Sequence, residues 1–485
     1  MTTLYKQSMV NAVSTYAGFA LGALNTLVLY VHVLEVDTYG LLSWLLAAAT
    51  LLMPWMTMGV PNTLLKFFPT IHTDLERAQF LGWMFWWPLV VIIPLGILLA
   101  IWGDVVAAYW LQSPEAVSPY LLHFWAIGSF MAYFEVFYSL AKTRLKSVFG
   151  NVLKEVSHRL LITCLLLMMY FQWISSEQLF IGLVMIYAVR TLSMAVYSVY
   201  IARPVLAWGI PAFFKEYLSY GLFVVLGTAV ALVILEIDKV MIHQFLPLSE
   251  VAFYTVAVFM ATLVSVPARA THQIALPMSA QWIASGQWEL IKTRYKQSAI
   301  QLSWTSGWVL LVLWSTAPDI FSLLPSGYQS AILVLLLIGM SKWLEASMGI
   351  NNALLLNTPK YKWVLYTGVV MALFTVGFNL WLIPRYGIIG AAWASLGAML
   401  LYQCAKVWAV YAWIKAHPWQ PKMFLVLLWG GVSWWLVDWV FSRIDSPVFL
   451  RITGIALLVS LIYLAGIYRL GLIEYRSIWP KKLGQ

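Results

Sequence analysis

The sequence predicts an all-helical protein that spans a membrane about fourteen times, and three observations lead to this fold class. First, the 485 residues are 62% hydrophobic and only 10% charged, with a mean hydropathy of +0.83, whereas soluble domains carry about 25% charged residues. Second, the chain contains fourteen apolar segments long enough to cross the hydrocarbon layer. Third, its Lys and Arg residues concentrate in alternate connections, as the positive-inside rule requires.

Each apolar segment is assigned one span, because a helix needs about 20 apolar residues to cross about 30 Å of hydrocarbon. The first segment has no A-x-A-like cleavage site after it, so we expect an uncleaved first helix. Cys164 and Cys404 fall inside spans, where we expect buried packing residues rather than disulfide partners. The spans are centred near residues 20, 50, 91, 130, 167, 189, 229, 261, 307, 341, 371, 400, 432 and 459.

The distribution of basic residues fixes the expected orientation. With the N-terminus in the cytoplasm, 22 of the 29 Lys and Arg residues lie in inner segments and four lie in outer ones. This predicts an even number of spans with both termini cytoplasmic, and it accounts for the net charge of +10 without a nucleic-acid partner. The basic, amphipathic inner segments 142–158, 203–217 and 279–296 are expected to lie along the membrane surface.

The outer connections are all short, about fifteen residues at most. None of them is long enough to fold as a catalytic or receptor domain. We therefore expect a protein that is not an enzyme, has no cofactor or metal site, and carries its function among the helices.

A short repeat relates two halves of the chain. The second span begins with "VLEVDTYGLL" and the eighth with "PLSEVAFYTV", so that Glu35, Val36 and Tyr39 match the E-V-x-x-Y residues found 215 positions later. Internal repeats of this kind are typical of transporters. The sequence therefore predicts two six-helix bundles, residues 1–203 and 204–415, followed by an extra helix pair and a cytoplasmic tail in residues 416–485.

Three motifs resemble one family. The segment "LIPRYGIIGAA" (382–392) enters span 12, "EIDKVMI" (236–242) ends span 7, and "MGVPNTLLKFFP" (58–69) leaves span 2. Together they resemble the polysaccharide-transporter branch of the multidrug/oligosaccharidyl-lipid/polysaccharide (MOP) exporter superfamily, which includes the Wzx-type flippases of O-antigen and exopolysaccharide. The resemblance implies bundles like those of multidrug and toxic-compound extrusion (MATE) transporters.

The resemblance also implies a function. Flippases of this branch move undecaprenyl-diphosphate-linked oligosaccharides across the bacterial inner membrane by alternating access, for O-antigen of lipopolysaccharide, capsule or exopolysaccharide. The implied partners are the polyprenyl-linked glycan, membrane lipids, and the glycan polymerase and chain-length machinery. We expect a monomer, because the transport cavity would lie within one chain.

Charges inside the spans are the candidates for the functional site, since an ionisable group at mid-bilayer costs at least ~2.5–3.5 kcal/mol. Arg190, Lys342 and Lys406 are the basic residues within spans. Arginine suits a diphosphate because its donors form a fixed fork. Arg190, Lys342 and Arg269, at the inner end of span 8, are therefore the candidate headgroup clamp, although Arg269 equally fits an ordinary inner-surface anchor.

Four further residues are candidates for ion coupling or gating. Glu135 in span 4 is the expected partner of Arg190, and Glu345 is spaced i, i+3 from Lys342, so that the two could form a structural pair. Asp238 and Lys239 lie near the outer end of span 7, where they either pair as an outer gate or extend towards water.

Two other transport functions stay open. A drug or cation antiporter of the same superfamily would need buried acids, whereas span 1 has no Asp or Glu and the deep charges are at least as basic as acidic. A flippase for lipid-linked peptidoglycan precursors would share the mechanism but normally has a more basic first span.

Overall fold

The computed structural model describes residues 2–358, 362–444 and 446–472, and every regular element within them is helical. Two compact units divide the chain, Met1–Thr255 and Val256–Gln485. The prediction of an all-helical membrane protein is confirmed, whereas the boundary between six-helix bundles at residue 203 stays a prediction. The predicted cytoplasmic tail lies mostly outside the described residues.

The N-terminal unit contains twelve complete helices among the described residues. A π-helical turn, Asn25–Leu29, joins α1 to α2, and a second one, Leu153–Ser157, joins α9 to α10. The helices are α1 (Thr2–Leu24), α2 (Tyr30–Val33), α3 (Val36–Thr57), α4 (Val60–Phe67), α5 (Asp74–Trp86), α6 (Leu89–Trp110), α7 (Pro114–Val117), α8 (Leu121–Thr143), α9 (Val148–Val152), α10 (His158–Tyr170), α11 (Ser176–Ala202) and α12 (Phe214–Phe245).

One helix, α13 (Leu248–Ala261), crosses the boundary between the units. A 3₁₀ turn, Thr262–Ser265, links it to the helices of the C-terminal unit. These are α14 (Val266–Ala284), α15 (Trp288–Ser322), α16 (Ile332–Ser347), α17 (Asn351–Leu356), α18 (Lys362–Ile414), α19 (Pro421–Phe441) and α20 (Val448–Arg469).

Among the described residues, the structure gives twelve candidate spans once α18 is divided, two fewer than the fourteen that the sequence predicts. Eleven helical segments of the described chain are long and apolar enough to cross a membrane. One of them, Trp363–Ile414, contains two predicted spans, which are separated by a kink at Gly387 (φ 62°, ψ −143°). Beyond this kink, Gly397 lies next to the side chain of Phe378. Predicted spans 5 and 9 correspond to α10, which is short, and α15, whose first turns are polar. Every predicted centre falls in a helix, so fourteen is a good approximation.

Two of the three inner segments are continuous with long helices, and their location along the membrane surface stays a prediction. Residues 279–296 form the end of α14 and the start of α15, joined by a tight turn in which Gly286 has φ 67°. Residues 148–158 likewise run without a break into α10. In both segments the backbone hydrogen bonds are satisfied by continuing a neighbouring helix. Both cysteines are exposed rather than buried.

Glycine allows two close contacts in the N-terminal unit. A Cβ atom on Gly59 (φ 72°) would lie 2.2 Å from the carbonyl oxygen of Gly221, and one on Gly40 would collide with the backbone of Leu248. Span 12 also carries a stripe of small residues, Gly390, Ala391 and Ala394, all of which are buried. Small residues therefore set the helix spacing, as membrane interfaces favour.

Candidate functional site

Arg190 lies on the buried face of α11, which packs against α8. A capping box starts this helix: the backbone N–H of Gln178 donates to the Ser175 hydroxyl, and the Ser175 N–H donates to the Gln178 side chain. Next to Arg190, the Thr191 hydroxyl donates to the Phe130 carbonyl of α8 at 2.8 Å. These contacts fix the rotation of α11 and direct Arg190 towards α8.

The Arg190 guanidinium is held by aromatic rings rather than by acids. Its side chain is 7% exposed, and its Cζ atom lies 4.3 Å from the ring centroid of Phe134 and 4.7 Å from that of Tyr187. Its Nε atom has no hydrogen-bond partner, and no described carboxylate lies within 4.0 Å. Cation–π contacts contribute about 2 kcal/mol when desolvated, less than the several kcal/mol that burying an ion costs. An anion near Arg190 would therefore be stabilising.

Glu135, the predicted partner of Arg190, pairs with a different residue. Its Oε1 atom accepts a hydrogen bond from Lys154 Nζ at 2.5 Å, with the lysine side chain 44% exposed. Arg190 still lies within electrostatic range of Glu135. The prediction of a direct Arg190–Glu135 pair is therefore wrong. The π-helical turn Leu153–Ser157 places Lys154, and not Arg190, next to the Glu135 carboxylate.

Two residues after the same π-helical turn, α10 adds a second arginine, Arg159, that sequence reasoning did not select. Arg159 lies 3.7 Å from Glu155, and its guanidinium donates to the Gly18 carbonyl of α1. A Cβ atom on Gly22 would lie 3.0 Å from the Arg159 Nη1 atom. The sequence counted Arg159 and Lys154 as inner-surface charges, and their i, i+5 spacing gave no signal of a shared site, because residues on one face of an α-helix are three or four apart.

Asparagine 25 fixes the backbone beside Arg159. The Asn25 amide donates to the Arg159 carbonyl at 3.0 Å and accepts from the Thr163 hydroxyl at 2.7 Å. Both helices deviate to π geometry here, a feature that occurs often at functional sites. The contact thus holds α1 and α10 in a defined register.

These charges form one group with an excess of positive charge. Lys142 belongs to this group, because it interacts electrostatically with Glu135 and Lys154. Its Nζ atom also lies 3.7 Å from the ring centroid of Tyr138. Four cations and two carboxylates leave a formal charge of +2. The excess positive charge suits a multivalent anion, and arginine and lysine form strong charge-assisted hydrogen bonds with phosphate. The Arg190 cluster comprises Glu135, Lys142, Lys154, Glu155, Arg159 and Arg190.

In the C-terminal unit, Lys342 and Glu345 are both partly buried on α16 and do not form the predicted ion pair. Glu345 instead interacts electrostatically with Lys406 of α18 and His272 of α14. Arg269 is exposed at the start of α14, with no described ion pair. Sequence reasoning noted Lys406 inside a span but gave it no role.

Asp238 and Lys239 do not pair with each other. The Asp238 Oδ2 atom accepts a hydrogen bond from the Tyr254 hydroxyl at 2.5 Å, and Lys239 Nζ lies 2.7 Å from Glu236 Oε2. Neighbouring residues on a helix point in different directions, whereas the i, i+3 residues Glu236 and Lys239 share a face. The prediction of a direct Asp238–Lys239 gate pair is therefore wrong.

Comparisons with known proteins agree with this fold. The family described as "Polysaccharide biosynthesis protein" matches residues 4–282, which include the Arg190 cluster. The chain is 25% identical over 269 residues to an uncharacterized membrane protein of Methanocaldococcus jannaschii. The aligned region covers 54% of this chain and 52% of the relative. The chain therefore spans about half the length of this curated relative.

Several solved structures share the fold. The lipid II flippase MurJ, in an inward closed conformation, has a TM-score of 0.76 and 14% identity over 95% of this chain and 99% of that chain. An inward-facing multidrug resistance MATE family transporter of the MOP superfamily has a TM-score of 0.60 and 14% identity over 86% of this chain and 96% of its own. A MOP superfamily transporter from Pyrococcus furiosus has a TM-score of 0.55 and 14% identity over 84% and 95%. Identities this low show the fold alone.

Proposed function

This chain belongs to the polysaccharide biosynthesis protein family, the polysaccharide-transporter branch of the MOP superfamily, and we propose that it is a lipid-linked oligosaccharide flippase. Its substrate is an undecaprenyl-diphosphate-linked repeat unit, moved across the bacterial inner membrane for O-antigen, capsule or exopolysaccharide. The N- and C-termini lie in the cytoplasm, and the glycan polymerase and chain-length machinery act on the exported unit.

The observation that carries this proposal is the Arg190 cluster. A diphosphate cannot cross hydrocarbon without compensation of its charge. Arg190 is buried with a free Nε donor, and the cluster around it has a formal charge of +2. The substrate's two phosphates would supply the anion that this cluster lacks. Lys342 and Arg269 remain further candidates for headgroup contact from the C-terminal unit.

Charge also argues against export of organic cations. A cavity that binds cations needs carboxylates free of other partners. Two acids of the N-terminal unit, Glu135 and Glu236, are each engaged by a lysine at 2.5 Å and 2.7 Å, and the described part of span 1 contains no acid. Bringing another cation to the net-positive Arg190 cluster would be repulsive.

Transport proceeds by alternating access. The polar headgroup and glycan travel through the protein while the polyprenyl tail stays in lipid. An ion gradient could supply the driving force, with Glu135, Asp238 or Glu345 as the carrier.

A reconstituted flipping assay tests the function. The purified protein in liposomes receives fluorescent undecaprenyl-diphosphate oligosaccharide, and the fraction reached by an impermeant reductant is measured over time. We expect faster translocation than in protein-free liposomes and no accumulation of a fluorescent organic cation. Translocation of the cation but not of the glycan lipid would contradict the proposal.

A second candidate is a flippase for lipid-linked peptidoglycan precursors, favoured by the shared fold with MurJ over 95% of this chain. Its substrate is also a polyprenyl diphosphate, so the Arg190 cluster fits both. Adding lipid II as a third substrate separates them. We expect the O-antigen-type lipid to be preferred because the family match is to polysaccharide biosynthesis proteins.

A further inference from the structure

Two arginines pack against one aromatic ring in the N-terminal unit, in connections that the sequence assigns to the cytoplasmic side. Phe68 is 6% exposed, and the Cζ atoms of Arg77 and Arg144 lie 5.2 Å and 5.6 Å from its ring centroid. Arg77 also donates a hydrogen bond to the Ile71 carbonyl at 2.7 Å. Arg144, which follows α8, donates to the Ala202 carbonyl at 3.4 Å. These contacts bring two positive charges from different helices to the same ring.

No described carboxylate neutralises these two arginines. The acids nearest to Arg77 along the chain, Asp74 and Glu76, lie in the first turn of α5, where acids interact favourably with the helix dipole. Neither acid forms an ion pair within 4.0 Å among the described residues, and Glu76 instead accepts from the Thr73 hydroxyl at 3.5 Å. The Nε atom of Arg77 is buried without a hydrogen-bond partner. The arginines therefore still offer positive charge and a donor to an external anion.

An extended segment between α11 and α12 runs beside the two arginines. Residues 203–213 form no helix, and two hydrogen bonds attach them to α5. The Ala207 N–H donates to the Ala78 carbonyl at 3.1 Å, and Trp83 Nε1 donates to the Gly209 carbonyl at 2.7 Å. Because Ala78 directly follows the arginine of α5 in the chain, the segment lies next to the arginine pair.

The side chains of this segment form an exposed apolar patch. Trp208 is 83% exposed and Val205 is 72% exposed, and Leu206 and Ile210 are exposed as well. The Trp208 ring stacks on that of Trp86 in α5, with the ring centroids 5.4 Å apart. Contiguous apolar patches of this kind mark interaction sites, and tryptophan is enriched where protein meets the membrane–water interface. Cations and apolar side chains thus share one surface.

We propose that this surface binds an anionic phospholipid of the surrounding leaflet. We call it the Phe68 surface, and it comprises Phe68, Arg77, Arg144 and residues 205–210. The guanidinium groups form charge-assisted hydrogen bonds with the lipid phosphate, while the apolar segment contacts the acyl chains. A lipid fits better than a protein partner, because anionic lipids of the cytoplasmic leaflet attract basic residues close to the membrane. This assignment does not rest on the proposed function.

Native mass spectrometry of the full-length, delipidated protein tests the proposal with phosphatidylglycerol and phosphatidylcholine of the same acyl chains. We expect preferential binding of phosphatidylglycerol. Arg144→Gln should weaken it about fivefold, and the Arg77→Gln, Arg144→Gln double variant about 20- to 30-fold, because each basic residue near an anionic lipid adds a similar increment. Phosphatidylcholine binding should not change. Equal binding of both lipids, or a preference that survives in the double variant, would overturn the proposal.

The matched control is Arg385→Gln. Arg385 is exposed, lies 5.3 Å from the Trp381 ring centroid and donates to the Trp381 carbonyl at 2.7 Å. It therefore makes the same kinds of contact, but no second described cation lies over its ring. Its substitution should leave phosphatidylglycerol binding unchanged. If the double variant does not fold, Arg144→Gln decides alone, because Arg144 is exposed and makes a long hydrogen bond.

Two further measurements separate the lipid from other ligands. Trp208→Ser removes an acyl-chain contact, so binding of both phospholipids should fall together, and unchanged binding of both would contradict the apolar half of the surface. Glycerol phosphate, which has no acyl chains, should bind far more weakly than phosphatidylglycerol, and equal binding would indicate a phosphate site instead. If the double variant loses polyprenyl diphosphate but keeps phosphatidylglycerol, the surface serves the flippase substrate and this proposal is wrong. Loss of phosphatidylglycerol with unchanged flipping would support it.

Discussion

The two units of this protein treat buried charge differently. In the N-terminal unit, Lys154 pairs with Glu135 across two helices, and Arg190 remains as a cation with ring contacts and a free donor. In the C-terminal unit, Lys406 and Glu345 interact without an ion pair, although Lys406 is almost fully buried. The first arrangement suits binding of an external anion, whereas the second leaves a buried cation with a ring contact from Tyr402 and no ion pair among the described residues. The following predictions test this contrast.

The largest effect is expected for Arg190→Met. A hydrogen bond to a charged group contributes about 1.5–3 kcal/mol, so translocation of the diphosphate lipid should fall about 10- to 100-fold while the protein remains folded. Initial flipping rates in liposomes measure this. The control is Arg443→Met, since Arg443 is exposed and lies 3.9 Å from the Trp439 ring centroid. Equal rates for both variants would remove Arg190 from the site.

A packing change should affect the N-terminal unit next. In Gly18→Ala the new Cβ would lie 2.3 Å from the Glu155 carbonyl oxygen, and overpacking costs about 1–3 kcal/mol. We expect a lower midpoint of thermal unfolding in detergent, together with slower flipping because Arg159 and the π-helical turn shift. Gly377→Ala in the C-terminal unit, where nothing lies within 4 Å, should leave both measurements unchanged. If the two variants have the same unfolding midpoints and the same flipping rates, the close contact between Gly18 and Glu155 does not stabilise the Arg190 cluster.

Lys406→Met should have a smaller effect, of opposite sign on stability. It replaces an unpaired buried ammonium by an apolar side chain of similar length, and such replacements are neutral or stabilising. We expect the midpoint of thermal unfolding to stay or to rise by the equivalent of about 1 kcal/mol. A clear decrease would mean that Lys406 is paired and structural, which would break the contrast between the units.

The smallest effect is expected for Lys154→Met. Lys154 is 44% exposed, and ion pairs of exposed lysines contribute about 0–1 kcal/mol. The freed Glu135 carboxylate can then turn towards Arg190, so flipping should fall by less than in Arg190→Met. If the Lys154→Met, Glu135→Gln double variant regains the rate of the unmodified protein, Glu135 is the cause of the loss.

Much of the fold was predictable from sequence because apolar runs of span length have few alternatives in a membrane. The connections were less predictable: Gly387 divides α18 at one residue, and the amphipathic segment 279–296 extends two helices. An amphipathic pattern of this kind fits both a helix that lies on the membrane surface and the continuation of a neighbouring helix, so the pattern alone does not distinguish them.

The site was predictable by residue type but not by partner. Arg190 stood out because a mid-span arginine is rare, and it is buried as expected. Its neighbours depend on helix rotation and on the π-helical turn at Leu153–Ser157, neither of which one sequence determines. For that reason Glu135 was assigned to Arg190 instead of Lys154, and Lys406 received no role.

The most direct test of the account is binding of a polyprenyl diphosphate to the purified protein, measured by native mass spectrometry against the uncharged polyprenol of the same length. Because Arg190 offers the diphosphate a buried cation, we predict preferential binding of the diphosphate and loss of that preference in Arg190→Met, with polyprenol binding unchanged. A preference for the diphosphate that survives in Arg190→Met would contradict the central claim that this arginine binds the headgroup.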